Sequence, residues 1–152
     1  MLKTSKILKA FNDILKNEFN VKVYGKETKE GYKMPCFNTE ILINPMEKMN
    51  KHIIRNSVTL NAAYVMETVD SVKQFDVIDK MRELFISYLK VDDRVLHIKE
   101  FNYQYTGEYK DILEFSIEVI FYENTYVKVI DKPIEEVDVR LQRKEDGSIF
   151  NK

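Results

Sequence analysis

Hydrophobic residues follow two different periods along this chain, and each period predicts its own kind of element. Near the start they recur at helical spacing, which predicts one amphipathic helix that Thr4 or Ser5 can cap and that ends near Asn20. The apolar positions of this helix are Ile7, Leu8, Phe11, Ile14 and Leu15. A short alternation before Gly25 then predicts an edge strand over residues 21–24.

Alternation of apolar and polar residues predicts four further strands. They cover residues 36–44, 56–66, 95–105 and 113–121, and Pro45 ends the first of them. The third changes phase between Ile98 and Phe101, which predicts a β-bulge. The fourth has the clearest pattern, because five apolar residues alternate with Glu114, Ser116 and Glu118. One face of the sheet should therefore be core, while the other meets water or a partner.

A second helix is predicted between these strands, from Ser71 to about Lys90. Ser71 and Gln74 fit a capping box, and Asp70 adds negative charge at the N-terminal end of the helix. Its predicted apolar stripe consists of Val72, Phe75, Ile78, Met81, Phe85, Tyr88 and Leu89. This stripe should pack on the same face of the sheet as the first helix.

The order of predicted elements is helix, three strands, helix, two strands and an extended tail. It indicates an α+β fold: a single domain, mainly antiparallel β-sheet, with two helices packed on one face. We expect this domain to cover residues 1–132. Residues 133–152 form an extended C-terminal segment that is expected to be mobile or to lie between subunits. A last strand candidate in this segment has Val137, Val139 and Leu141 on one face.

Composition is that of one globular domain, with 44% hydrophobic and 32% charged residues among 152. No uninterrupted apolar run is long enough for a transmembrane helix, so no membrane contact is expected. The single cysteine, Cys36, excludes an internal disulfide and is expected to be a buried apolar residue. Residues 1–55 carry a net charge of +5 and residues 56–152 a net charge of −6. This asymmetry suits head-to-tail contact between copies, although charges scattered over a solvated surface would give the same count.

Catalytic, cofactor and metal motifs are not found in the sequence. Its four glycines are isolated, so neither a P-loop nor a dinucleotide motif can be assembled, and His52 and His97 lack metal-ligand spacing. The group Lys110, Asp111 and Glu114 could be read as a metal-dependent nuclease site, but Glu114 already fits a regular strand alternation. We therefore expect no enzyme and no cofactor.

A basic cluster is predicted in residues 46–55, which are expected to form a long hairpin loop. Its members are Lys48, Lys51, His52 and Arg55. Such cations could face DNA phosphates or a protein interface. A solvated hairpin tip is the preferred interpretation, and no aromatic-basic motif indicates sequence-specific binding.

Several blocks of the chain resemble the small tail terminator (tail completion) proteins of Gram-positive phages and prophages. The resemblance covers about residues 2–129, and its most specific block is EGYKMPCF, where a turn leads into a strand. The other blocks are KILKAFNDILKNEF, SVTLNAAYV, MRELFISYL and FNYQYTGEYKDILEFSIEVIFY.

The resemblance implies a virion structural protein that is assembled in the host cytoplasm. Such a protein caps the tail tube as a ring, commonly of six copies, ends tube polymerisation and presents a surface to the head or neck. The implied partners are other copies of the chain, the tail tube protein and a neck, connector or sheath protein. DNA would pass through the lumen, where Lys48, Lys51 and Arg55 are candidates to face it, and the C-terminal segment would reach a neighbouring subunit.

Two other functions stay open at this stage. The chain could be a head-tail joining protein or another neck component, since these small α+β proteins share the same order of elements. It could also be a nuclease or other small enzyme on an α+β scaffold, which would need a convergent pocket that the sequence does not indicate.

Overall fold

The computed structural model describes residues 1–25, 31–109 and 111–125 of the chain. These residues form two helices and a curled, mainly antiparallel sheet, so the predicted α+β fold is confirmed. The elements are α1 (Thr4–Phe19), β1 (Lys22–Tyr24), β2 (Cys36–Ile43), β3 (Glu47–Lys48), β4 (Ile53–Val65), α2 (Ser71–Leu84), β5 (Tyr88–Val91), β6 (Arg94–Thr106) and β7 (Ile112–Asn124). The segment with Val137, Val139 and Leu141 lies outside the described residues.

Two long strands, β4 and β7, form the centre of the sheet. The strand order is β1-β2-β4-β7-β6-β5, and the short β3 pairs with the start of β4. Among the described strands, only β1 runs parallel to its neighbour, β2. The predicted bulge in β6 is confirmed, because the β6–β7 register shifts between Ile98 and Glu100.

One face of the sheet forms the core together with both helices. Its fully buried side chains include Phe37, Leu60, Phe115 and Ile117. The opposite face alternates with it along β7, where Glu114, Ser116 and Glu118 are half-buried. This pattern is the one that the alternation predicted.

Helix α1 lies in the hollow of the curled sheet. Its side chains Ile7, Phe11 and Leu15 are fully buried, and the helix contacts β1 and β2 at one edge of the sheet and β5 at the other. The Phe11 ring lies 5.3 Å from that of Phe85, which follows α2. The capping prediction for α1 is wrong, because the N-cap is Lys3 and no side chain caps the helix.

The prediction for α2 is wrong in its cap, its length and part of its buried face. Asp70 is the N-cap, and its carboxylate accepts hydrogen bonds from the backbone N–H groups of Val72 and Lys73. Gln74 is buried and donates through Nε2 to the Asp111 carbonyl at 3.3 Å, so it forms no capping box. The helix ends at Leu84, and the buried positions within it are Gln74, Val77, Ile78 and Met81.

Two strands were not predicted. Residues 88–91 form β5 rather than the last turn of α2, with Leu89 and Val91 buried and the other two side chains exposed. The loop predicted at residues 46–55 contains β3 and the start of β4. Both strands lie along the edges of the sheet, where short strands are common.

Cys36 is buried, as predicted, with 1% of its surface exposed. Burial raises the pKa of its thiol, because the charged thiolate would lose its hydration. The same cause, followed by the nearby Cys36 charge, raises the pKa of the Tyr64 hydroxyl. Cys36 is therefore part of the packed core.

Candidate functional site

The predicted basic cluster lies on the hairpin formed by β3 and the start of β4. Glu47 and Lys48 pair with Arg55 and Ile54, and Asn50 closes the turn by accepting backbone hydrogen bonds from His52 and Ile53 at 2.7 and 3.0 Å. The structure thus brings Lys48, Lys51, His52 and Arg55 together on one small hairpin. We call residues 42–55 the tip.

The four basic side chains of the tip differ in their electrostatic surroundings. The guanidinium of Arg55 is paired with Glu47 at 3.1 Å, so part of its charge is compensated. Lys48 and Lys51 are exposed, and neither takes part in an ion pair among the described residues. These two lysines are therefore the cations of the tip that can meet an anionic partner.

The tip also carries exposed apolar side chains, which the sequence analysis did not single out. Ile43 is 72% exposed, and four further residues of the tip are at least 40% exposed: Leu42, Met46, Met49 and Ile53. Exposed apolar side chains next to exposed cations are more typical of a protein interface than of a solvated loop. The signal in the sequence was the recurrence of Met and Ile inside an otherwise polar stretch.

The tip is held by the end of β7. Thr125 donates its backbone N–H to the His52 carbonyl at 2.8 Å and its hydroxyl to the Lys51 carbonyl. Since both bonds reach the turn itself, the tip has a defined position relative to the sheet. The chain continues toward its C-terminal segment from this same place.

The open face of the sheet is polar across its four longest strands. Its side chains form short hydrogen-bonded groups, in which Asn61 donates to Glu40, Gln104 to Glu114 and Ser57 to Glu118. Within the ranges that the structure describes, no group of three or more His, Cys, Asp or Glu residues is placed to hold a metal ion. Asp111 lies in the turn beside Gly107, and Lys110 is outside the described residues.

At both lateral edges of the sheet, part of a strand has no hydrogen-bonded partner in the described part of the chain. β1 covers only Cys36–Asn38 of β2, so the outer edge of residues 39–43 is open. β5 covers only Arg94–His97 of β6, and one more bond joins the Ile98 N–H to the Ser87 carbonyl. The outer edge of residues 99–106 is therefore open as well. Unpaired edges of this length are ready to accept another strand.

Comparison with known families gives one decisive match. The family model described as "Phage tail terminator protein" matches residues 6–132. The chain belongs to the phage tail terminator family. The resemblance found in the sequence is thereby confirmed, and the protein is a structural component of a phage tail.

Other comparisons add little to the family assignment. No curated protein matches the chain. One solved structure, which carries no functional name, superposes with a TM-score of 0.48 at 13% identity, over 84% of this chain and 99% of that chain. A likeness at this level carries no argument about function. No helix among the described residues has the length and apolar character needed to cross a membrane.

Proposed function

We propose that this tail terminator caps the end of the completed tail tube as a ring of identical copies. The ring ends tube polymerisation and offers the surface to which the neck or head attaches. The family match over residues 6–132 carries this proposal. Such a ring acts by binding the end of the tube and blocking the addition of further tube subunits. For this the chain needs interfaces rather than a catalytic centre.

A closed ring requires that every copy presents two different surfaces, one to each neighbour. The open edges of β2 and β6 lie on opposite sides of the sheet and are available for this role. The ring of six copies, the tube protein and the neck, connector or sheath protein as partners follow from the family resemblance. We place this ring-forming unit in residues 1–132, with residues 133–152 as an appended segment.

We further place the tip at an interface or at the lumen of the ring. Lys48 and Lys51 are exposed cations beside exposed apolar side chains, which suits contact with an acidic protein surface or passing DNA. His52 and Arg55 belong to the same hairpin, but Arg55 is partly neutralised by Glu47.

The decisive experiment is deletion of the gene in the strain that produces the particles, followed by negative-stain microscopy of the tails. Overlong tails of variable length are expected, and restoring the gene on a plasmid should restore uniform length. Tails of normal length that are separated from heads would instead assign the protein to the neck. Normal, attached tails would reject both roles.

A second experiment tests the tip. The double variant Lys48→Glu, Lys51→Glu should lower infectious titre or block ring closure while its unfolding curve stays that of the wild type. The matched control is Lys73→Glu, Lys90→Glu, which reverses two exposed charges that also take part in no ion pair among the described residues. Unchanged titre of the tip variant would remove the tip from the interface and the lumen.

A further inference from the structure

The open edge of β6 borders a groove whose other wall is helix α2. Gln74, near the start of α2, is bonded to the turn before β7, while Arg82 near its end and Ile86 just beyond it line a cavity with Ile98–Phe101 of β6. The helix therefore runs alongside β6, from the hairpin turn to the bulge. We call the space between α2 and the edge of residues 99–106 the β6 groove.

Apolar side chains on both walls of the β6 groove are exposed. On α2, Phe75 is 55% exposed and lies on the same helical stripe as Arg82, seven residues later. On β6, Tyr103 is 46% exposed and Tyr105 is also exposed, on the face that carries the core side chains. An unpaired strand edge beside an apolar helix flank is the arrangement into which an extended peptide adds as one more strand.

We propose that the β6 groove binds residues 136–142 of a neighbouring copy as an added β-strand. This inference rests on the proposed ring and names one of its contacts. In the sequence EVDVRLQ, the residues Val137, Val139 and Leu141 alternate with Asp138, Arg140 and Gln142. An added strand would turn the apolar set toward α2 and the polar set toward the open face, where Asn102 and Gln104 already lie.

The proposed ring, rather than the reach of the chain, favours a neighbouring copy. Thr125 is fixed at the tip, and Phe115, the partner of Tyr103, lies ten residues back along β7, about 33 Å away. The twelve steps from Thr125 to Val137 reach about 40 Å when fully extended, so the length of the chain does not distinguish the two arrangements. A neighbouring subunit makes each contact heterologous, as a ring requires, and trapping between chains or within one chain decides the matter.

Disulfide trapping tests this inference on the full-length chain. Tyr103→Cys is combined in turn with Val137→Cys, Asp138→Cys, Val139→Cys, Arg140→Cys and Leu141→Cys, while the buried Cys36 stays out of reach. After mild oxidation, purified protein and assembled particles are run on non-reducing gels. The ladder of linked chains should be strongest at the apolar position that lies opposite Tyr103, because a disulfide needs Cα atoms within about 7 Å, and it should be lost at Asp138 and Arg140, which face the other way.

Two control variants separate the groove from the surrounding surface. Phe75→Glu places a charge on the α2 wall and should abolish the ladder, whereas Val95→Glu changes a somewhat more exposed residue of β6 outside the groove and should leave it. When the cysteine is placed at Tyr109, beyond the end of β6, instead of at Tyr103, the ladder should also be lost. Equal trapping at all five tail positions, trapping only within one chain, or no trapping in particles would overturn the inference.

The tail-length experiment distinguishes failure of this contact from failure of the proposed function. Overlong tails without alternating cross-links would reject the β6 groove contact and keep the terminator role. Alternating cross-links together with normal tails after gene deletion would keep the contact and reject that role.

Discussion

The two helices of this protein pack on the same sheet but differ in how completely they bury their apolar residues. α1 buries Ile7, Phe11 and Leu15 completely, whereas α2 buries Val77, Ile78 and Met81 and leaves Val72 and Phe75 largely exposed. Phe75 lies on the side of α2 that borders the unpaired edge of β6. The comparison separates apolar residues that stabilise the fold from apolar residues that are available for assembly, although both recur at helical spacing.

Loss of the Phe11 ring should have the largest effect on stability. Phe11→Ala removes a fully buried ring that packs against Phe85, and it should lower the free energy of unfolding by about 3–5 kcal/mol. Urea denaturation followed by circular dichroism measures this difference. A loss below about 1 kcal/mol, the size expected for surface sites, would mean that α1 is not a core element.

Removal of Arg94 should have the second largest effect. Arg94 pairs with Glu123, whose side chain is 8% exposed and also accepts a hydrogen bond from the Leu2 N–H before α1. Arg94→Ala leaves this carboxylate poorly solvated and should destabilise the protein by about 2 kcal/mol. Lys6→Ala, which breaks the exposed pair with Asp92, is the control and should cost less than about 1 kcal/mol. Equal losses would show that burial of Glu123 has no energetic weight.

The helix cap of α2 gives a smaller prediction. Asp70→Ala removes the side chain that accepts from two backbone N–H groups and should destabilise the protein by about 1 kcal/mol. Ser71→Ala should have almost no effect, because Ser71 is not the cap. Thermal unfolding of both variants measures the difference in melting temperature. A larger decrease for Ser71→Ala than for Asp70→Ala would support the capping box predicted from the sequence.

The smallest effect on stability is expected at Phe75. Phe75→Ala removes a ring that is mostly in water, so the free energy of unfolding should change by no more than about 0.5 kcal/mol. Urea denaturation beside Phe11→Ala gives the direct comparison of the two helices. A loss comparable to that of Phe11→Ala would place Phe75 in the core and remove the α2 wall from the β6 groove.

The sequence predicts much of the sheet because period-two alternation survives in the folded protein. The β7 pattern and the β6 bulge were both readable, since Leu113 to Val119 alternate and the β6 pattern changes phase once. The strand β5 was missed because Phe85, Tyr88 and Leu89 continue the helical spacing of α2. Two periods overlap there, and only tertiary packing decides between them.

The candidate surfaces were less predictable than the fold. The basic residues of the tip were recognised, but the exposure of Ile43 and Met46 depends on which neighbours cover them in space. Phe75 was predicted to be buried because helical spacing alone cannot tell which of two adjacent stripes faces the sheet. The open edge of β6 has no sequence signal at all, because it arises from β5 being too short to cover it.

The central pair of strands has a mechanical consequence. β4 and β7 are antiparallel and remain in register over twelve residue pairs, from Ile53–Asn124 to Tyr64–Leu113. A force that slides these strands past each other along their length must load all the hydrogen bonds between them at the same time. A force that peels them apart from one end loads one pair of residues at a time. The β4–β7 pair is therefore expected to resist sliding along the strands more strongly than peeling from one end.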